Sequence, residues 1–336
     1  MRAREGDILK DLNGIIFDVK GLVHPPSKVI AFPRFIPDSG GDRKHESIAY
    51  RKIYKISERF KFLERNFPHY IVHDPDFGET LCEVPIESMK KHYQPNNRLM
   101  KLRCSKRLDL VEKDALEFLK LLKDYSNVSW SKIGVSGSLL VNLHTPSSDI
   151  DPIVYGSQNC LKVYSALQSM LKNADAFIKP YTREDLKALF DFRSKDTSMN
   201  FEDFVRVESR KVLQGKFKSR DYFIRFVKDW DEIDEKYGDI HYKNVGYARV
   251  KAVVEDDSED IFTPCTYKIK NVDVLDGVHF PIEEIASFRG RFCEQARNGE
   301  VIIAQGKVEK VRDSRQNREY FRLLLGSKPS DYMILG

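Results

Sequence analysis

A glycine–serine turn followed by two aspartates is the pattern in this chain with the clearest chemical meaning. Ser136, Gly137 and Ser138 come directly after a short apolar run, and ten residues separate Ser138 from the pair Asp149 and Asp151. Two carboxylates two positions apart on a strand point to one face, with their backbones about 7 Å apart. Mg²⁺ takes few protein carboxylates together with phosphate oxygens, so the pair is a candidate site for Mg²⁺ or Mn²⁺.

The turn itself can approach a phosphate. Gly137 has no side chain, so phosphate oxygens can come close to the backbone. Ser138 adds a hydroxyl and an amide at the start of a predicted helix, where anions are favoured. We therefore predict that Ser136, Gly137 and Ser138 bind the phosphates of a nucleoside triphosphate, such as ATP, while Asp149 and Asp151 hold the metal. The plain alternative is a turn that only starts a helix, followed by a turn that starts a strand.

This stretch resembles the signature of the DNA polymerase beta-like nucleotidyltransferase superfamily. There, Gly-Ser precedes a strand with a carboxylate–apolar–carboxylate pattern, which is Asp149-Ile150-Asp151 in this chain. Residues 134–156 are also similar to an uncharacterised archaeal group of predicted nucleotidyltransferases, in which a segment like residues 17–26 is expected. The resemblance implies a nucleotidyltransferase fold, a nucleoside triphosphate substrate, and metal-binding, catalytic roles for Asp149 and Asp151.

Active members of that superfamily place a third carboxylate on a later strand. Residues 221–228 alternate as a strand, and Asp221 is our candidate for this catalytic role. The position that most naturally holds the acid is Phe223, and an exposed aspartate at a strand start explains Asp221 equally well. Asp273 fits the apolar–Asp–apolar pattern better but lies in the next predicted domain. A second departure is Pro152, which follows the aspartate pair and has no N–H for a sheet.

Two basic segments are candidate surfaces for anions. Arg206 and Arg210 lie one helical turn apart on one helix face. Residues 205–228 around them hold eight basic and two acidic residues. We predict that Arg206 and Arg210 bind nucleotide phosphates, with a solvated helix face as the equal alternative. Residues 89–107 carry seven lysines and arginines and no acid, which indicates either a solvated linker or a surface for an anionic ligand.

Turn signals and hydrophobic patterns divide the chain into three predicted domains. Residues 1–107 are rich in short apolar strands, and residues 236–336 contain four extended segments separated by turns. Residues 108–235 alternate strands with helices, and Asp109 and Glu112 form a capping box that starts one helix. The predicted fold is α+β, with a strand-rich N-terminal domain, a nucleotidyltransferase core built on a mixed sheet with helices, and a C-terminal small β-barrel.

Composition excludes several classes of protein. The 336 residues are 41% hydrophobic and 11% aromatic, which is typical of a globular chain, and a net charge of +5 does not by itself indicate nucleic acid. Five cysteines without a CxxC pair suit a reducing cytoplasm. No stretch approaches the roughly 18 apolar residues of a membrane span, and the N-terminus lacks an apolar signal core. We expect a cytoplasmic protein without a membrane partner.

Together, these observations predict a metal-dependent nucleotidyltransferase. An acceptor hydroxyl attacks the α-phosphate of the triphosphate and pyrophosphate leaves, with positioning and electrostatics supplying most of the catalysis. RNA is the favoured acceptor because of the basic segments and the predicted barrel. The alternatives are nucleotide transfer to a protein or a small molecule, and a non-catalytic RNA- or nucleotide-binding protein that keeps the fold. The oligomeric state is left open.

Overall fold

A computed structural model describes residues 1–45, 47–172, 177–194 and 199–336 of the chain. These residues form seven α-helices and twenty β-strands arranged in several sheets, so the fold is α+β, as the sequence predicted. No helix within the described ranges is both long enough and apolar enough to cross a membrane.

The chain forms two compact units. The first, unit 1, combines residues 1–73, 80–179 and 213–234. The second, unit 2, combines residues 74–79, 180–212 and 235–336. Most of the predicted N-terminal domain therefore belongs to the same unit as the predicted core. The division into three domains stays a prediction.

Unit 1 begins with an eight-stranded sheet. Its strands are β1 (Ile8–Asp11), β2 (Ile16–Val19), β3 (Lys28–Pro37), β4 (Arg43–His45), β5 (Ile48–Lys52), β6 (Ile71–Asp74), β7 (Glu79–Pro85) and β8 (Met89–Tyr93). Six strands follow the order β4-β5-β3-β2-β1-β8, and β7 pairs with β3 and β6. Helix α1 (Ile56–Asn66) buries Leu63 in one hydrophobic cluster with Phe17 and Val19 of β2.

The second part of unit 1 places helices around a three-stranded sheet. Its elements are α2 (Pro95–Cys104), α3 (Leu110–Ser126), β9 (Ile133–Val135), α4 (Gly137–Leu140), β10 (Pro152–Tyr155), α5 (Ser157–Lys172), β11 (Ile178–Lys179), β12 (Gln214–Phe217), β13 (Arg220–Phe223) and β14 (Arg225–Val227). The sheet order is β14-β10-β9, with β14 parallel and β9 antiparallel to β10. Strands β11, β12 and β13 form a second small sheet. The predicted capping box starts α3, because Asp109 accepts from the Glu112 N–H at 2.9 Å.

The strand expected through the two aspartates begins later than the sequence predicted. Strand β10 starts at Pro152, and Ile150 makes only an isolated parallel bridge with Tyr222. Pro152 takes the first position of its strand, where proline is tolerated in a sheet. The strand predicted over residues 221–228 is also divided, because Ile224 separates β13 from β14. The aspartates therefore lie just before the sheet, on the segment that enters it.

One face of the N-terminal sheet packs against α4, the short helix of the glycine–serine turn. Ile16 and Phe35 are buried in one hydrophobic cluster with Leu140 and Leu143. The Arg43 guanidinium donates to the Leu143 carbonyl at 2.6 Å. Strand residues alternate between the two faces of a sheet. A charged residue two positions from Ile16 or Phe35 on the same strand therefore lies on the face that packs against α4.

Unit 2 combines two helices with a six-stranded sheet. Its elements are α6 (Arg183–Arg193), α7 (Phe201–Glu208), β15 (Ile240–Asp256), β16 (Cys265–Gly277), β17 (Ile282–Ser287), β18 (Val301–Asp313), β19 (Arg318–Leu325) and β20 (Tyr332–Leu335). The strand order is β15-β16-β17-β19-β18-β20, and β15 also pairs with β18. This additional pairing bends the sheet into a half-barrel. The C-terminal region is thus β structure, as predicted, in the form of a half-barrel.

Candidate functional site

The glycine–serine turn and the second aspartate lie against each other. Gly137 has a φ of +62°, in the left-handed region that favours glycine. A Cβ built on Gly137 lies 1.9 Å from a carboxylate oxygen of Asp151, so a side chain here displaces that carboxylate. The Ser136 N–H donates to the backbone oxygen of Asp151 at 2.8 Å. The lack of a side chain at Gly137 therefore makes room for the Asp151 carboxylate.

Asp149 and Asp151 flank the buried Ile150 just before β10. Asp149 is exposed and Asp151 is half-buried. Neither carboxylate forms a salt bridge or a side-chain hydrogen bond with another residue of the described ranges. Burial and the neighbouring Asp149 carboxylate raise the pKa of Asp151 to about 7, because both disfavour a second negative charge. The pair is thus a concentration of negative charge that no cation of the described ranges contacts.

Three cationic side chains lie within electrostatic range of this pair. Arg225, Lys52 and Arg34 each lower the pKa of Asp151. Arg225 begins β14, the neighbour of β10, whereas Lys52 and Arg34 come from the N-terminal sheet. Lys52 is paired directly with Phe35, which packs against α4, so both side chains share the sheet face toward that helix.

A network of charges around the buried Glu5 continues from these cations into the N-terminal sheet. The Glu5 carboxylate accepts from the Lys20 ammonium at 3.0 Å and lies 3.2 Å from the Arg225 guanidinium. Asp18 lies 3.9 Å from both Lys20 and Arg34. Burial alone would raise the pKa of Asp18, but the charges of Lys20 and Arg34 hold it well below its usual range. Asp18 is therefore ionised. Glu5, Asp18, Lys20 and Arg34 join the candidate site although no role was predicted for them, whereas Arg225 lies in the predicted basic segment 205–228.

The two serines of the turn have partners within the fold. The Ser136 hydroxyl donates to the Gly6 carbonyl at 2.7 Å, and the Ser138 hydroxyl donates to the Ser148 hydroxyl at 3.3 Å. Both serines are buried. The predicted role of their side chains in nucleotide binding stays a prediction, and the structure places both hydroxyls in contacts that hold the turn against its neighbours.

Asp221 lies on the strand next to the aspartate pair. The bridge between Ile150 and Tyr222 sets the register, which places Asp221 beside Asp149 and Phe223 beside Asp151. The Asp221 carboxylate is exposed and forms a salt bridge with Lys216 at 2.8 Å. Its role as third catalytic carboxylate stays a prediction, and Phe223 occupies the position nearest to Asp151 in this register.

Arg206 and Arg210 belong to unit 2, whereas the aspartate pair belongs to unit 1. Arg206 is exposed near the end of α7, and Arg210 lies two residues beyond that helix, so the two arginines do not share one helix face as predicted. The Arg210 guanidinium forms a bidentate ion pair with Glu300, at 2.5 and 2.6 Å. The structure therefore does not group these arginines with the aspartates in one compact unit, and their phosphate-binding role stays a prediction.

A second group of potential metal ligands lies at the start of α3. Ligand atoms of Asp109, Glu112 and His144 all lie within 4.8 Å of one another, which holds for no other such group in the described ranges. Each acid has a partner: Asp109 contacts the His144 ring at 2.7 Å, and Glu112 accepts from Arg98 at 2.6 Å. These contacts and the capping box explain why the three residues lie together: they start helix α3, and each acid has a partner.

The α+β fold and the aspartate pair surrounded by cations define a protein with a candidate site for a metal ion and an anion. No family model matches the chain, and no solved structure matches it. The chain is 33% identical to the uncharacterized protein MJ1086 of Methanocaldococcus jannaschii, in an alignment that covers 97% of this chain and 96% of that protein. The chain belongs to the family of this archaeal protein.

Proposed function

We propose that the protein transfers a nucleoside monophosphate from a nucleoside triphosphate to an acceptor hydroxyl, with a divalent metal ion. The observation that carries the proposal is the pair Asp149 and Asp151, which lacks a salt-bridge partner in the described ranges although Arg34, Lys52 and Arg225 act electrostatically on Asp151. In this proposal, β9, β10 and β14 with helices α3 and α5 form the nucleotidyltransferase core that the sequence resemblance implies.

The donor set fits a hard cation. Asp149 and Asp151 offer carboxylate oxygens, the ligands that Mg²⁺ and Mn²⁺ prefer. The raised pKa of Asp151 supports this assignment, since the repulsion that raises it is relieved by a positive charge on the pair. A bound metal ion supplies charge neutralisation for the phosphates and activation of an attacking hydroxyl. Gly137 keeps the Asp151 carboxylate free of steric conflict.

The surrounding cations suit a triphosphate. Arg34, Lys52 and Arg225 lie within electrostatic range of Asp151, and the Lys52 ammonium lies 5.0 Å from the ring centroid of Tyr54. Lys52 forms no salt bridge within the described part of the chain. The site contains four acids and four bases, namely Glu5, Asp18, Asp149 and Asp151 with Lys20, Arg34, Lys52 and Arg225. A divalent ion on the aspartates makes this near-neutral site positive, which favours a polyanionic ligand.

The test is transfer of label from the α-phosphate. The protein is incubated with Mg²⁺ or Mn²⁺ and each α-³²P-labelled nucleoside triphosphate, with tRNA, with total RNA or without added acceptor. We expect label on RNA, and a loss of at least about 100-fold in the double variant Asp149→Asn with Asp151→Asn. Asp191→Asn, an exposed substitution on α6, is the matched control and retains transfer. Absence of transfer and of Mg²⁺-dependent nucleotide binding in the natural protein would overturn the proposal.

RNA is the favoured acceptor in this proposal, because the sequence carries long basic segments. The same experiment identifies other acceptors. Label that remains on the protein indicates transfer to a protein side chain, and label on a small product indicates a small-molecule acceptor. The position of the label thus separates the three acceptors, while the aspartate variants test the reaction itself.

A second candidate function is nucleotide binding without transfer. It is favoured by Phe223 beside Asp151 and by the salt bridge that holds Asp221 to Lys216, since a third carboxylate then lacks a free position near the pair. Mg²⁺-dependent binding of a nucleoside triphosphate, lost in the double aspartate variant and without label transfer to any acceptor, supports this function. Substitution of Phe223 by Asp then tests whether a missing carboxylate limits turnover.

A further inference from the structure

A cavity of about 350 Å³ opens on unit 1, beside helices α2 and α3 and the turn at residues 130–132. Cavities that bind small ligands or single groups of larger ones begin at about 300 Å³. This cavity is lined by Arg103, Leu116, Lys120, Lys123, Asp124 and Trp130. Its lining combines one large aromatic ring with three cations and a single acid.

Trp130 and Arg103 contact each other in this cavity, and we call this pair the platform. The Arg103 guanidinium lies 4.3 Å from the Trp130 ring centroid, and Arg103 itself is exposed on the last turn of α2. A guanidinium over an indole ring is a cation–π contact whose planar surface can stack on a further planar group. Trp130 is half-buried, so part of its side chain is accessible at the cavity.

Residues 101–120, which supply Arg103, Leu116 and Lys120 to the cavity, are rich in exposed cations. Six exposed cations form no salt bridge within the described ranges, namely Lys101, Arg103, Lys106, Arg107, Lys113 and Lys120. The neighbouring acids have partners, because Glu112 is bound by Arg98 at 2.6 Å and Glu117 by Lys218 at 2.7 Å. On α3, Lys113, Lys120 and Lys123 recur at helical spacing, so they lie along one side of the helix.

We propose that this basic surface, with the Trp130 platform at its centre, binds a single-stranded nucleic acid. Bases of single strands stack on aromatic side chains and on guanidinium planes, while lysines and arginines neutralise phosphates. A row of unpaired cations beside one accessible indole meets both requirements. An acidic protein segment would use the same cations but does not need a planar platform. Assigning the bound strand as the acceptor rests on the proposed function, whereas the binding itself does not.

Tryptophan fluorescence tests the proposal directly. The chain has two tryptophans, so Trp230→Phe leaves Trp130 as the only reporter. Titration with 12-nucleotide oligo(U), oligo(A) or oligo(dT) is expected to quench this emission, with an affinity that falls steeply as salt increases. Quenching by both RNA and DNA supports the shared chemistry, and preference for RNA also supports the acceptor role. Equal affinity for duplex RNA overturns the stacking platform. So does oligonucleotide binding that poly-glutamate displaces but that never changes the Trp130 emission.

Matched variants separate stacking from charge. We expect Trp130→Leu to weaken oligonucleotide binding, measured by anisotropy of labelled oligo(U), by about ten-fold. Arg103→Ala and Lys120→Ala should each reduce the slope of log affinity against log salt by about 0.7, the value for one phosphate contact with a single strand. Lys162→Ala, an exposed lysine on α5, is the control and leaves the slope unchanged. Unchanged affinity in both Trp130→Leu and Arg103→Ala would refute the proposal.

The failure of this proposal is distinguishable from failure of the proposed function. The double variant Asp149→Asn with Asp151→Asn is expected to keep its affinity for oligo(U), because the aspartates are not part of the basic surface. Trp130→Leu is expected to keep Mg²⁺-dependent binding of a nucleoside triphosphate. Circular dichroism and thermal unfolding confirm that each variant folds. Retained nucleotide binding with no binding of any single strand would overturn only the basic surface.

Discussion

Two groups of charged residues, one in each unit, differ in how completely they are paired. In unit 2, Lys307, Glu309 and Arg322 lie within the half-barrel, and all three are buried. Glu309 lies 2.5 Å from Lys307 and 2.8 Å from Arg322, and Lys307 also pairs with Glu79. In unit 1, the aspartate pair before β10 has no salt-bridge partner in the described ranges.

The pKa values of the two groups shift in opposite directions. Burial alone would raise the pKa of Glu309, but Arg322 and Lys307 hold it below its usual value. Burial and the charge of Asp149 instead raise the pKa of Asp151 to about 7. Buried charges that are completely paired serve the fold, whereas repelling charges that the chain leaves unpaired indicate a site for a ligand. The comparison therefore predicts opposite effects on stability when one acid is neutralised in each group.

The largest expected effect follows from Glu309→Gln. The substitution leaves the buried Arg322 without its ion-pair partner and leaves Lys307 with Glu79 alone, which is expected to lower the free energy of unfolding by about 3 kcal/mol. Guanidinium-induced unfolding measures the change. Glu283→Gln is the matched control, because Glu283 pairs with Arg318 at an exposed site where a salt bridge contributes at most about 1 kcal/mol. Equal losses in both variants would contradict the structural role of the buried group.

Neutralising the second aspartate should act in the other direction. Without metal, Asp151→Asn is expected to leave the free energy of unfolding unchanged, or to raise it by up to about 1 kcal/mol, at neutral pH. The reason is that the substitution removes the repulsion with Asp149. With millimolar Mg²⁺, the natural protein should gain thermal stability by ligand binding and the variant should not. Thermal unfolding with and without Mg²⁺ measures both effects. A clear loss of metal-free stability would place Asp151 among the structural charges.

The cations near the pair should affect binding of the nucleotide more than stability. Lys52→Met is expected to weaken binding of a Mg²⁺–nucleoside triphosphate by about ten-fold, which corresponds to about 1.4 kcal/mol. It should leave thermal unfolding nearly unchanged, since Lys52 forms no salt bridge within the described ranges. Lys55→Met, three residues later and exposed, is the control. Isothermal titration calorimetry measures the affinities, and equal affinities in both variants would exclude Lys52 from the site.

The local parts of the site could be predicted from the sequence. The residue types in one short segment were enough to predict a turn at Gly137 and a carboxylate pair at Asp149 and Asp151. The short helix that begins at Gly137 occurs where this turn predicted it. The capping box of Asp109 and Glu112 likewise depends only on neighbours three residues apart. Such features need no knowledge of distant pairing, because the chain itself fixes the spacing of the interacting groups.

The contribution of the N-terminal sheet could not be predicted, because it depends on strand register. Lys52 faces α4 only because it pairs with Phe35, and Arg34 reaches Asp18 only because β2 and β3 are neighbours. Nothing in the local sequence marks either residue. Arg206 illustrates the converse, since it lies within the predicted core, residues 108–235, but belongs to a different compact unit from the aspartate pair. Local charge density marked Arg225, whereas Lys52 and Arg34 join the candidate site only through sheet pairing.

A second acid pair, in unit 2, refines the comparison. Asp260 is buried, and burial and Glu294 raise its pKa to about 8. The folded protein thus keeps Asp260 protonated between pH 4 and 8, where the unfolded chain ionises it, so the stability that this group contributes below pH 4 is lost progressively as the pH rises from 4 to 8. Asp260→Asn should gain stability relative to the natural protein as the pH rises from 5 to 8, with no further gain above 8, measured by chemical unfolding. Exposed Asp273→Asn is the control, and a pH-independent difference would contradict the raised pKa. Mg²⁺ should not change the difference in unfolding free energy between Asp260→Asn and the natural protein. Glu294 already accepts a hydrogen bond from the Val212 N–H at 2.8 Å, and Asp260 is a neutral acid in the folded protein.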